Sequence, residues 1–475
     1  MLRNFIASKI IENLAFQPTP GQHEMIRELG QFLASDDLSE VMMIKGYAGT
    51  GKTTLVNSLV KTLEGMKLKS VLLAPTGRAA KVLSAYTGRS AWTIHKKIYR
   101  QKSGKDGLGE FVLDRNLHKD TWFIVDEASM IGDRSTEGIF GTGDLLRDLL
   151  DFVESGQGCR LILVGDTAQL PPVGLELSPA LSSERMEGLG YRVREIEMTD
   201  VIRQARGSGI LHNATAIRNL ITAGVPGYPR FSFDPFPDII LLDGSDLLEA
   251  ISDSYDRYGM GETIVVTRSN KRANRFNAGI RGQILWREEQ LSPGDLLMVV
   301  KNNYFWKDPD NRLDFIANGD IVKVERVGRE EEVHGHRFAD VELTLPDYDD
   351  IELDAKVNLD VIDLDGPSLD RDQQRTLYMS VAEDYPDEVS RHQVAGKIAT
   401  DPYYNALQVK FAYAVTCHKS QGGQWKSVFL DQGYFTEEML TLDYLRWLYT
   451  AFTRASERLY LVNLARQFMP DLTGL

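Results

Sequence analysis

The chain has 475 residues, 43% hydrophobic and 26% charged, a globular composition too long for one compact core. No run approaches the ~20 apolar residues that span a bilayer, Met1 to Ile6 carry no secretion signal, and two cysteines, Cys159 and Cys417, make neither a disulfide framework nor a metal cluster. We therefore expect a cytoplasmic protein with buried thiols and no membrane partner. The net charge of -14 argues against a nucleic-acid partner only on average, because residues 340–371 hold eleven Asp or Glu and two basic residues, nine of the fourteen excess charges.

In chain order, Gln22 to Ala34 has helical spacing, with Met25, Ile26, Leu29, Phe32 and Leu33 on one face. A buried strand at Val41–Ile44 leads through a glycine-rich loop into a helix from Lys52 to about Leu63. Further strands are expected at Ser70–Ala74, Trp122–Val125 and Arg160–Val164, with a helix at Gly77–Ala85. Strands of continuous apolar residues alternating with helices indicate a parallel sheet covered on both faces. Residues 88–120 interrupt this rhythm with a basic, turn-rich stretch whose tip is Gly104 to Gly109. A second α/β unit begins near residue 195, with a strand at Thr263–Thr267 and a helix around Lys271–Arg281. From about 290 to 400, short alternating strands such as Asp320–Glu325 and Ala339–Leu345 suggest a β-barrel insertion. The α/β pattern resumes at Leu407–Val415, Ser427–Asp431 and Leu459–Asn463.

Gly46-Tyr47-Ala48-Gly49-Thr50-Gly51-Lys52-Thr53, followed by Thr54, matches a phosphate-binding loop in its confirming context, between strand and helix. Glycines let the backbone turn its N–H groups onto phosphate oxygens, and the helix N-terminus adds partial positive charge. Lys52 would reach the β- and γ-phosphates of ATP, and Thr53 would hold Mg²⁺. Ile124-Val125-Asp126-Glu127 ends an apolar strand in two carboxylates. Alternation along a strand separates their directions, so Asp126 suits the Mg²⁺ shell and Glu127 the activation of water. In Leu163 to Pro172, another strand running into a polar loop, Gln169 could contact the γ-phosphate or the attacking water.

These three elements, in this order, resemble motifs I, II and III of superfamily 1 helicases. Leu448-Tyr449-Thr450-Ala451-Phe452-Thr453-Arg454-Ala455 resembles motif VI, and Val415 to Gly422 motif V. Met198 to Gln204 resembles motif IV, Ala74 to Ala80 motif Ia, and Thr93 to Lys96 the short motif after it. The wording is most similar to the 1B branch, the RecD and Dda type, and covers about residues 15 to 465. The resemblance implies an α/β fold of two RecA-like parallel-sheet motor domains. Residues 1–87 and 121–193 would form the first, and 194–289 and 405–475 the second. A hairpin (pin) insertion at 88–120 and an SH3-like β-barrel insertion at 290–404 would complete the chain.

The resemblance also implies residue roles. Gln22 corresponds to the glutamine that reads adenine, and Arg203 and Arg454 to the arginines that reach the γ-phosphate from the second domain. Pro75, Thr76, Arg78, His95, Thr416, His418 and Lys419 would line a single-strand channel, with Trp92, Tyr99, Tyr304, Phe305 and Trp306 as candidate stacking aromatics. The implied function is ATP-driven, 5′-to-3′ translocation by a monomer on single-stranded DNA, with unwinding of fork DNA. An RNA-directed helicase and a DNA-stimulated ATPase switch that never unwinds stay open. So does the pathway, since replication, recombination and repair all use such motors, each with its own protein partners. The acidic insertion face would repel phosphate, and could brace the pin or bind a partner protein.

Overall fold

The computed structural model describes residues 2–14, 17–102, 110–133, 141–200, 207–307, 315–386 and 390–469. Arg203 and the expected hairpin tip, Gly104 to Gly109, lie outside the described residues. Among those described, no helix is long and apolar enough to cross a membrane.

The first unit is a six-stranded, all-parallel sheet. Its strands are β1 (Glu40–Gly46), β2 (Lys69–Ala74), β3 (Ala91–Thr93), β6 (Thr121–Val125), β7 (Arg160–Gly165) and β8 (Arg192–Met198), in the order β3-β2-β6-β7-β1-β8. Between β3 and β6 the chain forms an antiparallel pair, β4 (Tyr99–Lys102) and β5 (Glu110–Leu113), the base of the expected hairpin. The helices are α1 (Leu2–Glu12), α2 (Pro20–Leu33), α3 (Lys52–Gly65), α4 (Gly77–Thr87), α5 (Ile94–Ile98), α6 (Leu145–Glu154) and α7 (Ser183–Gly188).

Why the sheet is buried on both faces is legible in β1. Val41 and Met43 point into one apolar cluster with Leu73, Phe123 and Leu161. Met42 and Ile44 point into the other, with Ile26, Leu29, Leu59 and Ile124. A strand with period-two alternation and two covered faces needs apolar residues at every position. α2 starts at a capping box in which Thr19 and Gln22 satisfy each other's backbone N–H groups.

The second unit is a five-stranded parallel sheet of order β16-β10-β17-β18-β9. It begins with α8 (Gly209–Ala223), β9 (Ile239–Leu242), α9 (Leu247–Tyr258), β10 (Thr263–Thr267) and α10 (Asn270–Gly279). A closed barrel follows, built from β11 (Leu296–Val299), β12 (Ile321–Val333), β13 (His336–Leu345), β14 (Ile351–Asn358) and β15 (Leu407–Phe411). Three helices, α11 (Asp360–Asp363), α12 (Arg371–Ala382) and α13 (Arg391–Ile398), bridge β14 to β15. The chain then returns through β16 (Ala414–Thr416), β17 (Trp425–Asp431), α14 (Leu442–Phe452) and β18 (Ala455–Val462). The architecture is α/β, two RecA-like sheets with a hairpin in the first and a barrel in the second.

Three local expectations change. The stretch from residue 194, expected to open the second unit, lies in β8 and pairs along β1 instead, because the β8 register from Glu40 to Gly46 completes the first sheet. Leu407–Val415 is two strands rather than one: Leu407–Phe411 closes the barrel against β11, and Ala414–Thr416 pairs with β10. Both halves are apolar, so periodicity alone could not divide them. The insertion, expected to be β-rich, also carries the three helices α11–α13, two of them with capping boxes.

Candidate nucleotide and nucleic-acid site

In a parallel sheet, ligands gather outside the carboxyl ends of the strands. β1, β7 and β6 lie side by side there, so three loops converge: Gly46–Thr53, Asp166–Leu170 and Asp126–Glu127. Gly49 and Gly51 hold φ values of 75° and 90°, the left-handed region that lets the loop curl. A Cβ on Gly46 would come within 2.9 Å of Lys52 Cγ, so glycine lets Lys52 lie back over the loop. Lys52 Nζ donates to the carbonyls of Gly46 (2.6 Å) and Tyr47 (3.0 Å) and stands 3.6 Å from Asp166. Thr50 is fully buried and donates to Tyr47 O. Gln22 donates to Thr50 O at 3.2 Å, which seats it against the loop.

Tyr86 donates its hydroxyl to Asp126 Oδ2 at 2.5 Å and has Thr53 beside it, which sets Thr53 and Asp126 around one point. Two hard oxygen donors fit a magnesium ion, which keeps water and phosphate oxygens for its remaining positions. Among the described residues no cluster of three His, Cys, Asp or Glu forms a full protein cage. Glu127 has left-handed backbone, φ 55°. Burial pushes its carboxyl above the usual range, Asp126 and Asp166 add to this, and Arg454 and Lys52 oppose it. Gln169 is buried, and among the described residues its Oε1 has no hydrogen-bond partner, an acceptor suited to a water molecule.

Arg454 follows α14 in the second domain and is 2% exposed. Its guanidinium donates to Thr450 O, Gly423 O and Thr453 Oγ1 at 3.0–3.2 Å. Its electrostatic effect on Glu127 therefore acts across the cleft.

Six of the residues expected along the nucleic-acid track, Pro75, Thr76 and Arg78 from the first domain and Thr416, His418 and Lys419 from the second, fall into two groups that meet at the other edge of the cleft. Pro75 is half-buried, and Thr76 caps α4 by accepting Ala79 N–H. Gly422 (φ 73°) approaches so closely that a Cβ would stand 3.0 Å from Thr76 Oγ1 and 2.9 Å from Ala79 Cβ. Arg78 lies over the Trp425 ring at 4.1 Å and donates to Gln424 O, so its guanidinium is engaged across the domain boundary. Thr416 is half-buried at the end of β16, and His418 is exposed. Lys419 donates to Asn318 of the barrel unit. His95 is packed beside Tyr99, and burial pushes its imidazole down to about 4, so the ring is neutral at physiological pH.

Of the five aromatics considered for base stacking, Trp92 is 40% exposed, with Lys96 5.2 Å above its ring. Tyr99 donates to the buried Asp148, and Trp306 to Asn405 O. Phe305 packs edge-on against Trp306. Tyr304 packs 4.3 Å from Phe111 of β5, so the barrel unit braces the base of the hairpin.

A groove of about 560 Å³ runs between α4 and the loop after β13. Trp92, Lys96 and Lys81 line one wall and Asp347 and Tyr348 the other. Lys81 pairs with Asp347 at 3.0 Å, and Tyr348 bonds the buried Asp320. An acidic loop of the insertion thus rests on the first domain beside Gly77, a contact that sequence reasoning missed. Also missed were the roles of Tyr86, Arg446 and Tyr449, which bond Asp126, Thr167 and the Ala48–Asp166 pair around the phosphate loop. Arg446, Tyr449 and Thr450 did carry a signal: polar groups on one helical face of an otherwise buried apolar segment.

Residues 17–223 match a family described as AAA domain, and residues 411–462 one described as UvrD-like helicase C-terminal domain. The chain is 26% identical over 433 residues to the ATP-dependent RecD2 DNA helicase of Deinococcus radiodurans, covering 88% of this chain and 46% of that protein. It is 27% identical over 265 residues to the ATP-dependent DNA helicase dda of Enterobacteria phage T4, covering 54% of this chain and 55% of that one. The chain thus matches about half the length of each of these relatives. A solved Pif1 helicase from Bacteroides, in complex with ADP-AlF3 and single-stranded DNA, superposes with a TM-score of 0.46 at 16% identity, covering 94% of each chain.

Proposed function

We propose, from the premise that this chain belongs to the RecD and Dda branch of superfamily 1 helicases, that it hydrolyses ATP to step along single-stranded DNA and unwind duplexes. The observation that carries this reading is the split site. Lys52, Thr53, Asp126, Glu127 and Gln169 converge in one domain, and Arg454 faces Glu127 from the other.

In this reading, Lys52 and the loop amides from Gly49 to Thr54 hold the phosphates, Ala48 N–H being donated to Tyr449, and Gln22 holds the base edge. Mg²⁺ held by Thr53 and Asp126 would offset phosphate charge. Water, oriented by Gln169, attacks the γ-phosphorus while Glu127 takes its proton and ADP leaves. Arg454, joined by Arg203, stabilises the transferring phosphoryl group. Because Arg454 rides on the second domain, ATP closes the cleft and product release opens it. Thr76, Arg78, His95, Thr416, His418 and Lys419, with Pro75, form the strand-gripping edge of that cleft.

Lys52→Ala removes the phosphate-binding ammonium and should lower ATP turnover at least about 100-fold. Turnover is measured by phosphate release with DNA or RNA oligonucleotides present. Retained turnover, or stimulation by RNA alone, contradicts the reading. Stimulation by DNA without strand displacement points instead to a switch that never unwinds.

A further inference from the structure

α14 is largely buried beyond its first turn, and it carries polar groups along that buried length. Arg446, Tyr449 and Thr450 are three and four residues apart, hence on one face. All three reach into the first domain. Arg446 donates to Thr167 O, and Thr450 Oγ1 accepts Leu170 N–H at 2.8 Å. The Tyr449 hydroxyl accepts Ala48 N–H at 2.8 Å and donates to Asp166 Oδ2 at 2.8 Å. Tyr449 is 1% exposed and Asp166 0%. Asp166 Oδ1 accepts Ala168 N–H, and Lys52 Nζ stands 3.6 Å from Oδ2, the oxygen that Tyr449 holds.

The contact is reciprocal. Tyr47, inside the phosphate loop, joins the apolar cluster of Ile210, Ala214 and Ile217 on α8. The Arg218 guanidinium lies 4.7 Å above its ring. The loop is therefore gripped by the second domain at two successive residues, Tyr47 and Ala48.

We propose that Tyr449 is a positioning residue that reports phosphate binding at Lys52 to the second motor domain, through Asp166. The inference rests on the ATPase reading of the same site and names a coupling element within it. Phosphate draws the Lys52 ammonium toward itself. Asp166, buried without solvent, then relies on Tyr449 and Ala168 for its hydrogen bonds. Binding at the loop thereby strengthens the hold of α14 on the first domain. The cleft edge that carries motif Ia and motif V moves with it.

Tyr449→Phe deletes the hydroxyl and keeps the ring. Fluorescence anisotropy of a labelled single-stranded oligonucleotide measures strand affinity with and without a non-hydrolysable ATP analogue. Binding of a fluorescent nucleotide is measured separately. In the parent chain the analogue should change strand affinity by about fivefold or more, the usual scale of such coupling. In Tyr449→Phe that factor should fall to within about twofold of unity while nucleotide affinity stays within about threefold of the parent. A purely structural defect would weaken both ligands and leave the factor intact. A factor in Tyr449→Phe equal to the parent's overturns the proposal. Should the Phe chain not fold, Asp166→Asn is read in the same way, and an undiminished factor there overturns it too. A parent chain whose strand affinity ignores nucleotide removes the motor reading as well. Coupling that survives in the variant removes this inference alone.

Discussion

At the residue scale, the catalytic proposal turns on the environment of Glu127. Its carboxyl is pushed above the ordinary range, chiefly by burial, and a base must be ionised to take a proton from water. ATP turnover should therefore rise with pH through an acid limb above the usual carboxylate range. Glu127→Gln should erase that limb, lower turnover about 10²–10⁴-fold and leave nucleotide binding near the parent value. Turnover near the parent rate would remove Glu127 from its assigned role. The residue identities behind this were legible in sequence, because Asp126 and Glu127 directly follow a five-residue buried strand. The direction of the shift was not, since the burial that raises it, and the opposing Arg454, come only through the fold.

At the element scale, two contacts tie the insertions to the motor. Phe111 on β5 is 7% exposed and lies against Tyr304. Truncating a buried Phe costs about 3–5 kcal/mol of local packing, so Phe111→Ala should loosen the hairpin base. Forked-duplex unwinding should fall several-fold more than single-strand-stimulated ATP turnover. Equal losses in both assays would dissociate the hairpin from strand separation. The second contact is Asp320, fully buried under Tyr348 and against Gly77, its carboxyl pushed up to about 7 by burial. An unfolded Asp titrates near ~4, so the folded value is the higher one. Its stabilising contribution is complete below about pH 4 and is lost as pH rises through about 7. Thermal melts should show Asp320→Asn gaining on the parent at pH 8 and matching it near pH 4. A parallel pH dependence in both chains would remove Asp320 as the source. The second contact escaped sequence reading because the acidic stretch was weighed as a charged face, whereas one of its loops pairs Asp347 with Lys81.

At the scale of the whole molecule, the net charge of -14 misleads. Acidic residues on the barrel are partly compensated within it, as Lys356 is by Glu331 and Asp340, while basic Lys81 and Lys96 line the groove of the first domain. In the proposed reading, directed stepping belongs to both domains together, and so does its polarity. A duplex with a 5′ single-stranded overhang should be unwound in preference to one with a 3′ overhang. The reverse preference, scored by gel separation of displaced strand, would reverse the assigned direction.

The sequence by itself determined the phosphate loop, the Asp126–Glu127 pair, the Gln169 loop and the presence of two α/β units with a β-rich insertion. Each of these is a motif contiguous with its own strand, so chain geometry carries the residue to the strand end. The tertiary structure decided what joins those units. The stretch from residue 194 completes the first sheet rather than opening the second, and Leu407–Val415 divides between barrel and motor. The hydroxyl on the phosphate loop comes from Tyr449, 401 residues from Ala48. No periodicity or spacing encodes a hydrogen bond between groups so far apart. It exists because two separately folded sheets present complementary surfaces across the cleft.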